Sequence, residues 1–154
     1  MADKNENILE TYEPESPVAT ELRRLYNNLM SLGERQIKSF LMTSSVRSEG
    51  KSTMTAYLAT TIAQFPQKKV LVIDTDLRRP RQHKLFGLTL QQGLVDCLAS
   101  GVDPLNVIKA TRLENLDVIT AGGTTDAPSK LFESEMLSEF FAKVRFYYDI
   151  VLVD

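Results

Sequence analysis

Four short segments rich in apolar residues recur along the chain, and they read as strands. The clearest is Lys69–Asp74, Lys-Val-Leu-Val-Ile-Asp, whose continuous apolar character is typical of a parallel strand buried on both faces. The longer segments between them carry apolar residues at helical spacing. This alternation predicts a three-layer α/β fold with a mostly parallel sheet. We predict strands near 38–43, 69–74, 116–120 and 149–154, and helices over 17–32, 54–65, 94–99 and 129–146.

The first helix divides a polar leader from the rest of the chain. Residues 1–16 are rich in glutamate, which predicts a flexible acidic leader ahead of one folded domain over 17–154. A serine–proline pair starts the helix and Gly33 ends it. One face of this helix is polar, and it is either solvated or contacts a partner. The opposite, buried face is predicted to consist of Val18, Leu22, Leu25, Tyr26 and Leu29.

Composition narrows the class of protein. The 154 residues suffice for one domain with a sizeable core, and 43% hydrophobic with 25% charged residues is typical of soluble globular proteins. A net charge of −2 provides no overall positive field, so we predict no nucleic-acid partner. Cys97 is the only cysteine, which excludes an internal disulfide and favours a reducing, cytoplasmic location.

The segment 42–53, Met-Thr-Ser-Ser-Val-Arg-Ser-Glu-Gly-Lys-Ser-Thr, stands between a predicted strand and a predicted helix. Strand, polar loop, Gly-Lys-Ser and helix together are typical of a phosphate-binding loop, whose backbone N–H groups and helix dipole bind anions. Lys51 would reach the β- and γ-phosphates and the Ser52 hydroxyl would bind Mg²⁺. Ser45 replaces the usual first glycine, and the alternative is an ordinary turn before a helix. The predicted nucleotide-binding residues are Ser48, Glu49, Gly50, Lys51, Ser52 and Thr53.

Carboxylates follow two of the predicted strands. Asp74 and Asp76 come after the second strand, and Asp154 follows the apolar run 150–153. The i, i+2 spacing of the first two predicts that both point to one side, which suits a hard cation or a general base. A solvated strand end is the alternative for this pair. Because parallel strands bring their carboxyl ends to one edge, the loop and the three aspartates together predict a nucleotide–Mg²⁺ site.

A basic cluster follows the aspartate pair. It consists of Arg78, Arg79, Arg81 and Lys84, with no acidic residue among positions 77 to 84. This cluster either contacts phosphate or an acidic partner segment, or it is a solvated turn.

These motifs resemble those of the bacterial tyrosine kinases of capsule and exopolysaccharide export, of the CpsD/CapB type. The loop over 43–53 is similar to that family's T-S-x-x-P-x-E-G-K-S-T pattern. The segment 71–78, Leu-Val-Ile-Asp-Thr-Asp-Leu-Arg, resembles its second motif, three apolar residues and then D-x-D-x-R. Val151–Asp154 resembles its apolar run ending in aspartate (the Walker B element), and Glu21-x-x-Arg24 resembles the start of its oligomerisation helix.

The resemblance implies an ATP- and Mg²⁺-dependent autokinase acting on tyrosine, in a P-loop NTPase fold that MinD and ParA share. Lys51 would stabilise the transferring phosphoryl group, and Asp74 would be the base toward a tyrosine hydroxyl. Asp76 would support the metal shell, and Ser52, Asp74 and Asp154 would be the metal-site residues. The implied partners are the cytoplasmic tail of a membrane chain-length regulator and further copies of the chain, through the 17–32 helix. The chain would act in the cytoplasm, at the inner face of the membrane through that partner.

Several positions depart from the family pattern. Arg47 stands where proline is usual, Ser48 where glycine is frequent, and Asn27 where the oligomerisation motif has its second arginine. The family domain continues past Asp154 with further strands and a tyrosine-rich tail. The resemblance therefore implies the N-terminal part of that domain, and an uncovered sheet edge leads us to expect marginal stability or association.

Two other functions fit parts of the pattern. A MinD/ParA-type ATPase switch shares the fold, but it has a signature lysine at the position of Val46 and Pro-Gln after its D-x-D motif. Val46 and the Leu-Arg-Arg-Pro run over 77–80 favour the kinase. A non-catalytic module that docks a membrane polysaccharide-export partner through the 17–32 helix is the other alternative.

Overall fold

A five-stranded sheet with helices on both faces forms the centre of the protein. The computed structural model describes residues 7–31, 37–46, 48–65, 68–123, 125, 127–133 and 135–154. The strands are β1 (Ser39–Leu41), β2 (Val70–Ile73), β3 (Lys109–Ala110), β4 (Leu116–Ile119) and β5 (Ile150–Val153). The helices are α1 (Ile8–Thr11), α2 (Pro17–Ser31), α3 (Lys51–Ala63), α4 (Gln82–Leu85), α5 (Leu94–Ser100), α6 (Pro128–Phe132) and α7 (Glu135–Tyr147), with a 3₁₀ turn at Pro104–Asn106.

The strand order explains how distant motifs meet. It is β1-β5-β2-β4-β3, with β5 parallel to both β1 and β2 and with β2 parallel to β4. All four predicted strands are therefore confirmed, and the strand before Asp154 lies beside the strand that enters the loop. The fifth strand, β3, pairs antiparallel with β4 and was not predicted, because two residues are too few to show a period. β1 lies at one edge of the described sheet, and the Leu41 side chain there is exposed.

Alternate strand residues build two separate apolar cores, one on each face of the sheet. On one face Val70, Val72 and Leu152 pack with α2 and α3. On the other, Leu71, Ile73 and Val151 pack with α5 and α7. This confirms the three-layer arrangement, since a strand covered on both faces must be apolar at every position.

Contrary to the expectation of a flexible leader, residues 7–12 pack against the folded domain. Ile8 is buried in the first core, and the Tyr12 hydroxyl donates a hydrogen bond to Thr61 Oγ1 on α3 at 2.9 Å. The side chain of Asn7 caps α1 by accepting from the Leu9 N–H. The polar composition of the segment hid its few anchoring side chains, which pack only because α3 lies beneath them. Residues 1–6, Gly33 and Arg47 lie outside the described residues.

Two helix predictions are corrected in detail. On α2, Ala19, Leu22 and Tyr26 are buried, whereas Val18 and Leu25 are 54% and 41% exposed. The face of α2 that packs on α3 is therefore narrower than the hydrophobic pattern predicted. The helix expected over 129–146 is two helices, α6 and α7, and both contact α5. None of the helices in the described ranges has the length and apolar character needed to cross a bilayer.

Candidate functional site

The loop between β1 and α3 carries the site. Met42 N–H extends the pairing of β1 by donating to the Val153 carbonyl at 2.8 Å. Ser48 and Gly50 then have φ values of 64° and 86°, in the left-handed region. Glycine adopts this region freely, while a residue with a Cβ is strained there by about 1 kcal/mol. These two positions turn the chain so that α3 begins directly at Lys51.

The Glu49 side chain braces the first half of this loop. Its Oε2 accepts hydrogen bonds from the backbone N–H groups of Ser45 at 3.1 Å and Val46 at 3.3 Å. The carboxylate thus holds the entry of the loop, while the start of α3 presents the N–H groups that have no acceptor within the helix. Glu49 was predicted as a nucleotide contact, and its side chain has this supporting position in the structure.

A cavity of about 640 Å³ lies over the start of α3. Four basic side chains line it, Lys51, Arg78, Arg79 and Arg81, against two acidic ones, Glu49 and Asp76. Its positive excess differs from the net charge of the whole chain and suits an anionic ligand. The arginines of the predicted basic cluster therefore face the loop across this cavity. The remaining lining residues are Ser44, Ser45, Val46, Ser48, Gly50, Ser52 and Thr53.

Behind the cavity, side chains of two helices, α3 and α4, contact the carboxylate of Asp154. Lys51 Nζ lies 2.5 Å from its Oδ1, and Thr55 Oγ1 lies 3.5 Å from the same oxygen. Gln82 Nε2 donates to its Oδ2 at 2.6 Å. The Asp154 side chain is fully buried and the Lys51 side chain is 23% exposed, so the ion pair sits at the floor of the cavity. This arrangement joins α3, α4 and the end of β5.

Asp74 occupies a different place from the one its spacing predicted. It is fully buried, and its carboxylate accepts backbone N–H groups from Asp76 at 3.2 Å, Arg81 at 3.0 Å and Gln82 at 2.9 Å. Asp76 instead lines the cavity and accepts from the Arg79 N–H at 3.0 Å. The two carboxylates part because β2 ends at Ile73, so the alternation of a strand no longer applies after it.

Burial raises the pKa of Asp74 to about 7, and the nearby charge of Asp154 acts in the same direction. The three backbone N–H groups lower the pKa and offset only part of this effect.

The raised pKa of Asp74 predicts a pH dependence of stability. The unfolded carboxyl releases its proton near pH 4, while the folded one holds it until about pH 7. The free energy of unfolding should therefore fall as pH rises from about 4 to 7, by at most roughly 4 kcal/mol, and level off above. Urea unfolding from pH 4.5 to 8.5 measures it. The Asp74→Asn variant should lose most of this slope, whereas Glu139→Gln, at an exposed carboxylate, should keep it. Equal slopes in Asp74→Asn and the unmodified protein would contradict the prediction.

The structure thus brings together most, though not all, of the predicted site residues. Lys51, Ser52 and Asp76 line the cavity, and Asp154 lies just behind Lys51. Asp74 shapes the turn that carries the arginines. Sequence reasoning missed Gln82 and Thr55, which hold Asp154. Neither residue stands in a motif, and Gln82 reaches Asp154 only because α4 folds back over the end of β5.

The residues present fit a nucleotide with Mg²⁺. The start of a helix, Lys51 and the arginines offer donors and positive charge to phosphate oxygens. Mg²⁺ in such sites is held by one or two protein oxygens together with phosphates and water, and the Ser52 hydroxyl on the cavity wall is one such oxygen. Within the described residues, no cluster of three or more His, Cys, Asp or Glu side chains could hold a metal ion by itself.

Comparisons of sequence place the chain among known proteins, although no protein-family model matches it. It is 37% identical over 158 residues to CapB of Staphylococcus aureus, to which tyrosine-protein kinase activity is ascribed. The alignment covers 100% of this chain and 69% of CapB. It is 35% identical over 149 residues to the tyrosine-protein kinase YwqD of Bacillus subtilis, covering 96% of this chain and 62% of YwqD.

Solved structures agree with the sequence comparison. The chimerical protein CapA2B2 superposes with a TM-score of 0.89 at 30% identity, covering 100% of this chain and 67% of that one. The kinase domain of the Escherichia coli tyrosine kinase ETK superposes with a TM-score of 0.87 at 29% identity, covering 99% of this chain and 61% of that one. MinD of Pyrococcus horikoshii, solved with Mg-ADP, superposes with a TM-score of 0.65 at 24% identity. The match covers 76% of this chain and 48% of MinD, and it shows a likeness of fold. The architecture is that of a P-loop NTPase, and the chain belongs to the family of bacterial tyrosine-protein kinases.

Proposed function

We propose that this chain is the nucleotide-binding core of a protein-tyrosine kinase, which transfers the γ-phosphoryl group of ATP to tyrosine with Mg²⁺. The observation that carries the proposal is the cavity over the start of α3, where Lys51, Ser52 and Asp76 meet three arginines. The tyrosine-kinase relatives, of which this chain spans 69% and 62%, support it.

The residues of the cavity suit phosphoryl transfer, in which catalysis consists mainly of positioning and of stabilising negative charge. Lys51 and the N–H groups at the start of α3 would bind the β- and γ-phosphates. Ser52 would hold Mg²⁺, which would neutralise negative charge on the phosphates, and Asp154 would support that ion's water ligands. For Lys51 to reach phosphate, its ion pair with Asp154 must open, so the two residues exchange partners when nucleotide binds.

The roles that we propose for the two aspartates of the D-x-D motif differ from those expected from the sequence. Asp76 lines the cavity, where its carboxylate would meet an acceptor hydroxyl or the metal shell. Asp74, predicted as the base, has both oxygens occupied by backbone N–H groups and no exposed surface. We propose Asp76 as the base candidate and Asp74 as the residue that shapes the arginine-bearing turn.

The partners and location are part of the same proposal. In ETK of E. coli the matching segment is 21% of a longer polypeptide, so a kinase core of this kind is found joined to further segments. We propose that this chain acts in capsule or exopolysaccharide synthesis, at the inner face of the cell membrane, through the cytoplasmic tail of a membrane chain-length regulator. The exposed face of α2, where Glu21 pairs with Arg24 at 3.8 Å, is the surface proposed for contacts between copies.

Transfer of label from [γ-³²P]ATP tests the function. With Mg²⁺ and the partner tail present, the protein should carry label on tyrosine, as shown by phosphoamino-acid analysis. Asp76→Asn should reduce the labelling rate by at least about 10²-fold, the lower end of the usual contribution of a general base. Glu114→Gln, which changes an exposed carboxylate away from the cavity, should label at the unmodified rate.

Two other outcomes would overturn the proposal. Release of inorganic phosphate without any label on tyrosine would indicate a nucleotide-dependent switch, in line with the MinD-like fold. Failure to bind Mg-ATP at all would indicate a docking module without catalysis.

A further inference from the structure

Gln82 is a buried side chain outside every recognised motif of this chain. It is the first residue of α4 and has no exposed surface. Its Nε2 donates two hydrogen bonds, one to Asp154 Oδ2 at 2.6 Å and one to the Ser52 carbonyl at 3.0 Å. One amide group therefore ties the end of β5 to the start of α3.

The orientation of this amide is determined by its neighbours. Both neighbours of Nε2 are acceptors, a carboxylate oxygen and a carbonyl oxygen, and turning the amide over would place its own oxygen against them. Oε1 is buried and has no hydrogen-bond partner among the described residues. A buried acceptor without a partner is costly, so the two bonds made by Nε2 are what hold the side chain in place.

The backbone of Gln82 is anchored as firmly as its side chain. Its N–H donates to Asp74 Oδ2 at 2.9 Å, and Leu85 and Phe86 at the end of α4 are buried in the first core. Asp74 therefore acts on Asp154 indirectly, because it fixes the residue that donates to it. These contacts assign to the buried Asp74 a structural role that does not require contact with substrate.

We propose that Gln82 is the positioning residue that keeps Asp154 and Ser52 aligned when Lys51 turns from Asp154 to phosphate. This inference rests on the proposed nucleotide site. Lys51 and Thr55 approach only Oδ1 of Asp154, whereas Gln82 holds Oδ2. Once Lys51 leaves, Oδ1 is available to Mg²⁺ and its water ligands, while the bond from Gln82 still fixes the rotamer of the carboxylate.

The test separates the effect of Mg²⁺ from that of nucleotide alone. The affinity for fluorescent mant-ADP is measured with Mg²⁺ and with EDTA, and the ratio of the two dissociation constants is the readout. Gln82→Met keeps the length of the side chain but has no donor. It should reduce the Mg²⁺-dependent gain in affinity about tenfold, equal to about 1.4 kcal/mol, with less than twofold change in EDTA. Gln82→Glu keeps the shape and places a second carboxyl against Asp154, and it should lose at least as much.

Matched controls decide between positioning and simple packing. Gln91→Met makes the same change at an exposed glutamine and should leave the ratio unchanged. Thermal unfolding of each variant in EDTA establishes that it is folded. A role in filling space alone predicts that both Gln82 variants keep the Mg²⁺-dependent gain, and that result would overturn the inference while leaving the proposed function intact. If the unmodified protein binds mant-ADP equally with and without Mg²⁺, the proposed function and this inference both fail.

Discussion

Replacing Lys51 with methionine is expected to reduce tyrosine labelling by at least about 10²-fold, the usual scale for removing a preorganised charge from a developing oxyanion. The methionine keeps the length of the side chain and removes the cation that would contact the transferring phosphoryl group. Labelling with [γ-³²P]ATP measures it, and Lys130→Met, at an exposed lysine on α6, should label at the unmodified rate. Labelling by Lys51→Met within threefold of the unmodified protein would contradict this assignment.

The same substitution should also destabilise the protein in the absence of nucleotide. Without Lys51, the fully buried Asp154 loses its charge partner at 2.5 Å, which costs roughly 3 kcal/mol of unfolding free energy. The cost stays near the low end of the range for broken buried pairs because Gln82 still donates to Asp154 at 2.6 Å. Asp154→Asn should cost less, since the partly exposed Lys51 can turn to water. Urea unfolding in EDTA compares the two, and a larger loss for Asp154→Asn would contradict the asymmetry.

Replacing Gly93 with alanine is expected to lower the unfolding free energy by at least about 3 kcal/mol. A Cβ at this position would lie 2.0 Å from the Thr120 carbonyl oxygen and 2.5 Å from the Gly122 nitrogen, and neither backbone atom can move aside alone. The N–H groups of Leu94 and Val95 donate to the Thr120 and Ala121 carbonyls at 2.9 Å, so the clash would separate α5 from the loop after β4.

Gly123 provides the matched control for this change. A Cβ there meets no atom of the described residues within 4 Å, so Gly123→Ala should alter the unfolding free energy by less than about 1 kcal/mol. Urea unfolding of both variants at one pH makes the comparison. Similar stabilities for Gly93→Ala and Gly123→Ala would show that α5 does not depend on this close approach.

Local pattern was sufficient for the strands and for the loop. The run over 70–73 is apolar at every position because both faces of β2 are covered, and such a run is visible without any tertiary information. The Gly-Lys-Ser turn could also be predicted, since it depends on adjacent residues. In contrast, the packing of residues 7–12 on α3 could not be predicted, because the Tyr12 hydroxyl bonds to Thr61, 49 positions later.

The D-x-D motif illustrates the limit of spacing arguments. The sequence correctly placed Asp74 and Asp76 after the carboxyl end of β2. Their division into a buried carboxylate and a cavity-facing one depended on where β2 ends and on how residues 77–82 fold back over it. Local spacing carries no information about that turn.

The α/β class, the four parallel strands and the loop over 42–53 could be predicted from the sequence alone, because they follow from periodicity and from short contiguous motifs. The tertiary structure was needed to show which carboxylate is buried, which side chain holds Asp154 and which arginines line the cavity. Those contacts join residues 72 and 103 positions apart, and their geometry is set by the order of the strands and the packing of α4. A hydrogen bond depends on distances of a few tenths of an ångström, which the order of residues along a chain does not specify.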